Sequence, residues 1–203
     1  MMTYNDIDPK KSAFVFELDN VLYPEKDYMF QVYYLFAAMI EYTELWDAKA
    51  MVTLMTDTYQ QQGHVAVFDT LKQKFGVDEK YRANLEEMLI TSKLPLKLLL
   101  FQKMLELLQQ IVVDRKRIFI VTNGNPQQQL NKIKQTEWNG LEPYLTCYFA
   151  DEINAKPEPD ALNQLLADHN ISRRDVVMIG AIEADESCAQ AAGVDFINSA
   201  TFM

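Results

Sequence analysis

Residues 13–24 read AFVFELDNVLYP: an unbroken apolar run from Ala13 to Phe16, then Glu17, Leu18, Asp19 and Asn20, and an exit through Pro24. Continuous apolar residues without polar alternation are the pattern of a strand covered on both faces, which is how parallel strands sit in a sheet clad by helices. The run therefore predicts a buried strand over 13–18 with two carboxylates at its carboxyl end. Two further stretches repeat the design. RIFIVTNG (117–124) is an apolar run ending in Thr122, Asn123 and Gly124, and DVVMIGA (175–181) ends in Gly180 and Ala181. LTCYFA (145–150) and VDFIN (194–198) read as shorter strands. Between these runs lie helical patterns at about 96–112, 127–138, 159–170 and 184–193, the last closed by Gly193. Strands alternating with helices predict a parallel, doubly wound α/β sheet, and in such sheets the working groups collect at the carboxyl ends of the strands.

From about 26 to 93 the texture is helical throughout. Met29, Val32, Tyr33, Phe36, Ala37 and Ile40 recur at three- and four-residue spacing, and Val67, Leu71 and Phe75 repeat the habit before Gly76. This segment reads as a helical insertion after the first strand. The expected organisation is a Rossmann-like core domain of residues 1–24 and 94–203 with an all-α cap domain of residues 25–93.

The chain has 203 residues, 49% hydrophobic and 24% charged, enough for one sizeable core or a core with a small appended domain. Its 29 acidic against 19 basic residues give a formal charge of -10, a field that repels nucleic acid and anionic membrane surfaces. An anionic ligand must then be held by a local site. Cys147 and Cys188 are too few and too far apart for a disulfide framework or a zinc set, and read as two small buried hydrophobes in a reducing compartment. The opening MMTYNDIDPKKSA lacks the apolar core of a signal peptide, and every later apolar stretch is broken before membrane-spanning length. The expectation is a cytoplasmic protein with no nucleic-acid or membrane partner; the oligomeric state is left open.

At the strand ends stand, in order, Glu17 and Asp19, then Thr122 and Asn123, then Lys156 in AKPEP, then Gly180 followed by AIEAD. Singly each has a plainer reading as a cap or turn. In this order the chain resembles the haloacid dehalogenase-type phosphatases over nearly its whole length. That family ends its first strand in Asp-x-Asp-x-Thr/Val, a second in Thr or Ser, follows with Lys, often Lys-Pro, and ends a fourth in Gly-Asp with another Asp about four positions on. This chain reads Glu17-Leu18-Asp19-Asn20-Val21, Thr122-Asn123-Gly124, Lys156-Pro157 and Gly180-Ala181-Ile182-Glu183-Ala184-Asp185. The resemblance also accounts for a helical cap, the arrangement of relatives acting on small molecules, including nucleotidases with a similar DNxLYP opening.

By that resemblance, position 17 is the nucleophile that forms an acyl phosphate, Asp19 is the acid and base, and Thr122, Asn123, the amides around Gly124 and Lys156 hold and neutralise the phosphoryl oxygens. Magnesium is implied between Glu17, Asp19 and Asp185. Phosphoryl transfer asks for such a set: an in-line oxygen nucleophile, cations on the equatorial oxygens and an acid for the leaving alkoxide. Two positions depart from the pattern. Glu17 moves the carboxylate outward by about 1.5 Å, one carbon–carbon bond, where catalytic groups need placement within roughly 0.5 Å. Ala181 offers no metal oxygen. The implied function is a small-molecule phosphatase or nucleotidase relative, a pseudoenzyme whose phosphohydrolase activity is weak or lost and whose magnesium is weakly bound or absent. Alternatives are a non-catalytic binder of a phosphorylated metabolite, a protein-interaction scaffold using the cap, and a site in which Glu17 reaches over Ala181 and, with Glu183 or Asp185, rebuilds a metal site. His64 and His169 read as lone histidines, Tyr33, Tyr34, Met39 and Met55 as cap core, and Glu25 and Asp27 as turn and helix-start residues.

Overall fold

The computed structural model describes residues 1–203, which divide into two compact units: Met1–Glu25 with Leu98–Met203, and Lys26–Lys97. In the first unit five parallel strands form the central sheet: β1 (Ala13–Phe16), β3 (Arg117–Thr122), β5 (Leu145–Phe149), β6 (Val176–Gly180) and β7 (Asp195–Asn198), in the order β5-β3-β1-β6-β7. A two-residue strand, β2 (Leu98–Leu99), pairs in parallel with β4 (Thr136–Glu137) away from that sheet. β1 is central, with Phe16 level with Ile120 of β3 and Ile179 of β6. All four β1 residues and all five of β6 are buried, which explains their continuous apolar sequence.

The helices of the first unit are α5 (Gln102–Val113), α6 (Pro126–Gln135), α7 (Asp160–Asp168) and α8 (Glu183–Ala192). Val15, Phe119, Val121 and Met178 from the sheet pack with Leu162, Leu165, Leu166, Ala189 and Val194 from α7, α8 and the turn after α8. α5 packs on β3 and buries Met104, Leu107, Leu108 and Ile111. Each such side chain removed from water stabilises the fold by about 1.5–3 kcal/mol, so the strand ends rest on a rigid base.

The second unit is all helical: α1 (Glu25–Glu44, whose first residue belongs to the first unit), α2 (Ala48–Gln62), α3 (Val67–Phe75) and α4 (Arg82–Thr91). The apolar stripe of α1 is buried at Met29, Val32, Tyr33, Phe36, Ala37 and Ile40, as its spacing requires. The Asp47 carboxylate caps α2 by accepting from the Ala50 amide, and Gly76 ends α3 at φ +69°, a conformation that favours glycine. No helix is long and apolar enough to cross a membrane.

Three expectations are corrected. Tyr34, read as a core residue of the helical insertion, is 57% exposed. The stretch from 96 does not enter a helix directly: Leu98 and Leu99 pair with Thr136 and Glu137, and α5 starts only at Gln102. Likewise the helix expected over 127–138 stops at Gln135, and its last residues become β4. Short leucine-rich runs fit either period, and here pairing with a distant segment decides.

A closed polar network at the strand ends

The chain leaves β1 through Glu17, whose amide still bonds the Ile179 carbonyl at 3.1 Å. It then turns at Asn20, held at φ +59°, a left-handed conformation that Asn tolerates better than most residues. Asn20 N–H donates to the Tyr23 carbonyl at 2.9 Å, and the Tyr23 hydroxyl donates back to Asp19 Oδ1 at 2.6 Å. The loop therefore fixes the direction of both carboxylates.

Glu17 is almost fully buried, and both of its oxygens are engaged. Oε1 accepts from the Leu18 amide at 2.7 Å and from the Thr122 hydroxyl at 2.5 Å, while Oε2 accepts from the Lys156 ammonium. Lys156 Nζ also donates to Asp185 Oδ1 at 2.5 Å and to the Val121 carbonyl at 3.1 Å. The other oxygen of Asp185 accepts from the amides of Ala181 and Ile182 at 2.9 and 3.2 Å, and this side chain is fully buried. Burial pushes the Glu17 carboxyl above its usual range, an effect that Lys156 only partly offsets. For Lys156 burial alone would lower the value, but Glu17 and Asp185 outweigh it and hold the ammonium charged.

Gly180 makes this packing possible. A Cβ there would lie 2.4 Å from Asp185 Cβ and 2.7 Å from its Oδ2, so any residue but glycine would force Asp185 to shift from its present place.

Asp19 is held by a second group. Its Oδ2 accepts from Lys132 Nζ at 2.6 Å and from Gln129 Nε2 at 2.9 Å. Gln129 Nε2 also lies 2.7 Å from Thr122 Oγ1, joining the two groups, and Glu25 stands 4.0 Å from Lys132. Asn123 exchanges two bonds of 2.9 Å with the backbone of Lys156, fixing the lysine's loop against β3. Gly124, at φ +105°, gives its amide to Asp151 Oδ1 at 2.9 Å.

The structure thus brings Glu17, Asp19, Thr122, Asn123, Lys156 and Asp185 into one connected network, with Gly124 at its edge. Glu183 is exposed in the first turn of α8 and Ala181 contributes only its backbone. Sequence reasoning missed Gln129, Lys132 and Asp151. The available signal was that α6 carries few apolar residues, so a buried face had to be polar; Gln129 and Lys132, three apart, are that face. Of the other candidates, His64 shares a 2.9 Å hydrogen bond with Tyr33, and His169 lies against Phe119 with ring centroids 4.7 Å apart. Cys147 and Cys188 are free thiols, both pushed up to about 11 by burial.

A hard divalent cation needs several oxygens with lone pairs directed at one point. Here Asp185 and Glu17 have both oxygens turned to internal donors, with the Lys156 ammonium between them, and no group of three or more His, Cys, Asp or Glu side chains is arranged to hold a metal ion. The residues present do not fit a magnesium site.

Residues 14–199 match the haloacid dehalogenase-like hydrolase family. Among solved structures, a hydrolase from Streptococcus pneumoniae is similar at 20% identity and a TM-score of 0.57, covering 93% of this chain and 92% of that one. A putative phosphoglycolate phosphatase from Lactobacillus plantarum aligns at 19% identity and a TM-score of 0.55, covering 98% and 87%. A defluorinating L-2-haloacid dehalogenase aligns at 16% identity and a TM-score of 0.60, covering 93% and 82%. At these identities the likeness carries the fold. No curated protein matches the chain.

Proposed function

Because the chain belongs to the haloacid dehalogenase-like hydrolase family, we propose that it descends from enzymes acting on small phosphorylated metabolites and that its own phosphohydrolase activity is weak or lost. The observation that carries this reading is the state of Glu17. A nucleophile must present a free lone pair about 3–3.5 Å from phosphorus and in line with the leaving group, whereas the Glu17 oxygens face Leu18 N, Thr122 Oγ1 and Lys156 Nζ. Thr122 and Lys156 are also the groups that would steady the equatorial oxygens, so the nucleophile and the transition state would compete for the same donors. Asp19, which would serve as acid and base, has its oxygens turned to Tyr23, Gln129 and Lys132. Without a fitting metal site, charge developing on a transferred phosphoryl group lacks its usual counter-ion.

The test is turnover of a panel of phosphate monoesters, including sugar phosphates, nucleotides and phosphoglycolate, by purified protein with magnesium. The reading expects no release of phosphate above background. Hydrolysis at ordinary enzymatic rates, about 1–1,000 per second, would overturn it.

A further inference from the structure

Three donors of different kinds converge on one carboxylate: a backbone amide (Leu18), a hydroxyl (Thr122) and an ammonium (Lys156), from the ends of β1 and β3 and the loop after β5. This is the donor set of an oxyanion pocket, because mixed N–H, O–H and cationic donors satisfy several oxygens of one compact anion. Thr122 is fully buried and Lys156 is 4% exposed, so neither donor has bulk water as an alternative partner. A buried ammonium and hydroxyl cannot be left unmet without a large cost. In this chain the oxyanion that meets them is the chain's own side chain.

We propose that Glu17 is an intramolecular plug, its carboxylate occupying a pocket for a tetrahedral oxyanion of the phosphate or sulfate class and closing it to that ligand. The proposal rests on the reading that hydrolysis has been lost, and adds what replaced the phosphoryl group. Charge supports it: with Glu17 in place Lys156 faces two carboxylates, Glu17 and Asp185, so an incoming dianion meets an excess of negative charge. Shortening residue 17 removes one of those charges, leaves Lys156 balanced by Asp185, and vacates the γ-methylene and carboxylate together. The space and the three donors then coincide. Asp151, accepting from the Gly124 amide, is a second internal acceptor at the pocket's edge.

The experiment is thermal unfolding with inorganic phosphate, at ionic strength matched with chloride, on the wild-type chain, Glu17→Ala, and Glu17→Ala combined with Thr122→Val. Wild type should show no phosphate-specific shift. Glu17→Ala should gain a Tm rise of about 3–6 °C when phosphate exceeds its Kd about tenfold, and Thr122→Val should remove most of that gain. If Glu17→Ala does not fold, Glu17→Ser, which leaves a hydroxyl for Lys156, is read in the same way. A phosphate-specific shift in the wild type, or a folded Glu17→Ala or Glu17→Ser chain that titration calorimetry finds blind to phosphate, would overturn the proposal. Turnover by the wild type would sink the functional reading, whereas a silent wild type with a phosphate-blind truncation would sink only the plug.

Discussion

Replacing Lys156 by Met removes the cation at the centre of the network while keeping the length of the side chain. It leaves two carboxylates behind, with side-chain exposures of 10% for Glu17 and 0% for Asp185. Breaking a buried pair and orphaning one charge costs about 3–5 kcal/mol, and the Val121 carbonyl, bonded at 3.1 Å, loses its ammonium donor as well, adding about 1 kcal/mol or more. The expected loss is then about 4–6 kcal/mol, a large part of the roughly 5–15 kcal/mol that holds a folded domain. At about 2–4 °C per kcal/mol for a chain of this size, Tm should fall by about 10–20 °C. Urea unfolding at neutral pH, followed by circular dichroism, gives the free energy directly. The internal control is Glu17→Gln with Lys156→Met: neutralising one orphaned carboxylate should recover at least about 1–2 kcal/mol of the loss, a coupling that independent sites do not show. A cost below about 1 kcal/mol for Lys156→Met, the size typical of solvated surface pairs, would refute the argument that these charges are desolvated and mutually held.

Gly180→Ala should destabilise by about 1–3 kcal/mol or more, since the new Cβ would meet Asp185 at 2.4 Å and that side chain is tied to two amides; an unchanged denaturation midpoint would show that Asp185 has room to move. Lys132→Met should cost about 1–3 kcal/mol, less than Lys156→Met, because Asp19 retains Gln129 and Tyr23 and keeps 18% of its side-chain surface in water. A loss equal to that of Lys156→Met would mean the two halves of the network fail together. Burial lowers the pKa of His64 from its usual 6.5, so the unfolded chain binds more protons there than the folded one. Its contribution to stability should therefore be complete above pH 6.5 and shrink as the pH falls below that value, at no more than about 1.4 kcal/mol per pH unit. Replacement by Gln should flatten this part of the stability profile, and equal profiles for the two chains would remove His64 as its source. Finally, Glu17→Asp with Ala181→Asp draws the carboxylate at position 17 back from its internal donors and adds a second at 181; magnesium-dependent phosphate release should rise at least about tenfold over wild type, about 1.4 kcal/mol in barrier. No gain would place the loss beyond these two residues.

The sheet was legible because its three inner strands are apolar on both faces and their apolar runs stop abruptly: Phe16 before Glu17, Val121 before Thr122, Ile179 before Gly180. Parallel pairing demands that pattern, and few other structures produce it. The helical insertion was legible from the spacing along α1. The short β2–β4 pairing was not, since two residues carry no period and only contact with a segment far along the chain makes Leu98–Leu99 extended. At the site, residue types could be read but not their partners. Thr122, Lys156 and the Gly124 amide look like open donors in a one-dimensional string; in space they meet Glu17, Asp185 and Asp151. In the sequence the length of Glu17 reads as a displacement of the nucleophile; the further consequence, that the longer side chain consumes the donors around it, follows only where the fold brings Leu18, Thr122 and Lys156 together. Gln129 and Lys132 were hidden for a related reason: polar residues on a helix are ordinarily solvent-facing, and here the half-buried carboxylate of Asp19 draws both inward.

The most direct measurement is a crystal structure determined from protein held in magnesium and phosphate together. The account predicts the Glu17 carboxylate seated between the Leu18 amide, the Thr122 hydroxyl and the Lys156 ammonium, with Asp185 on the far side of the lysine and neither ion at the strand ends. An octahedral magnesium bound by Glu17 and Asp185, with Lys156 turned to a phosphate oxygen, would contradict it.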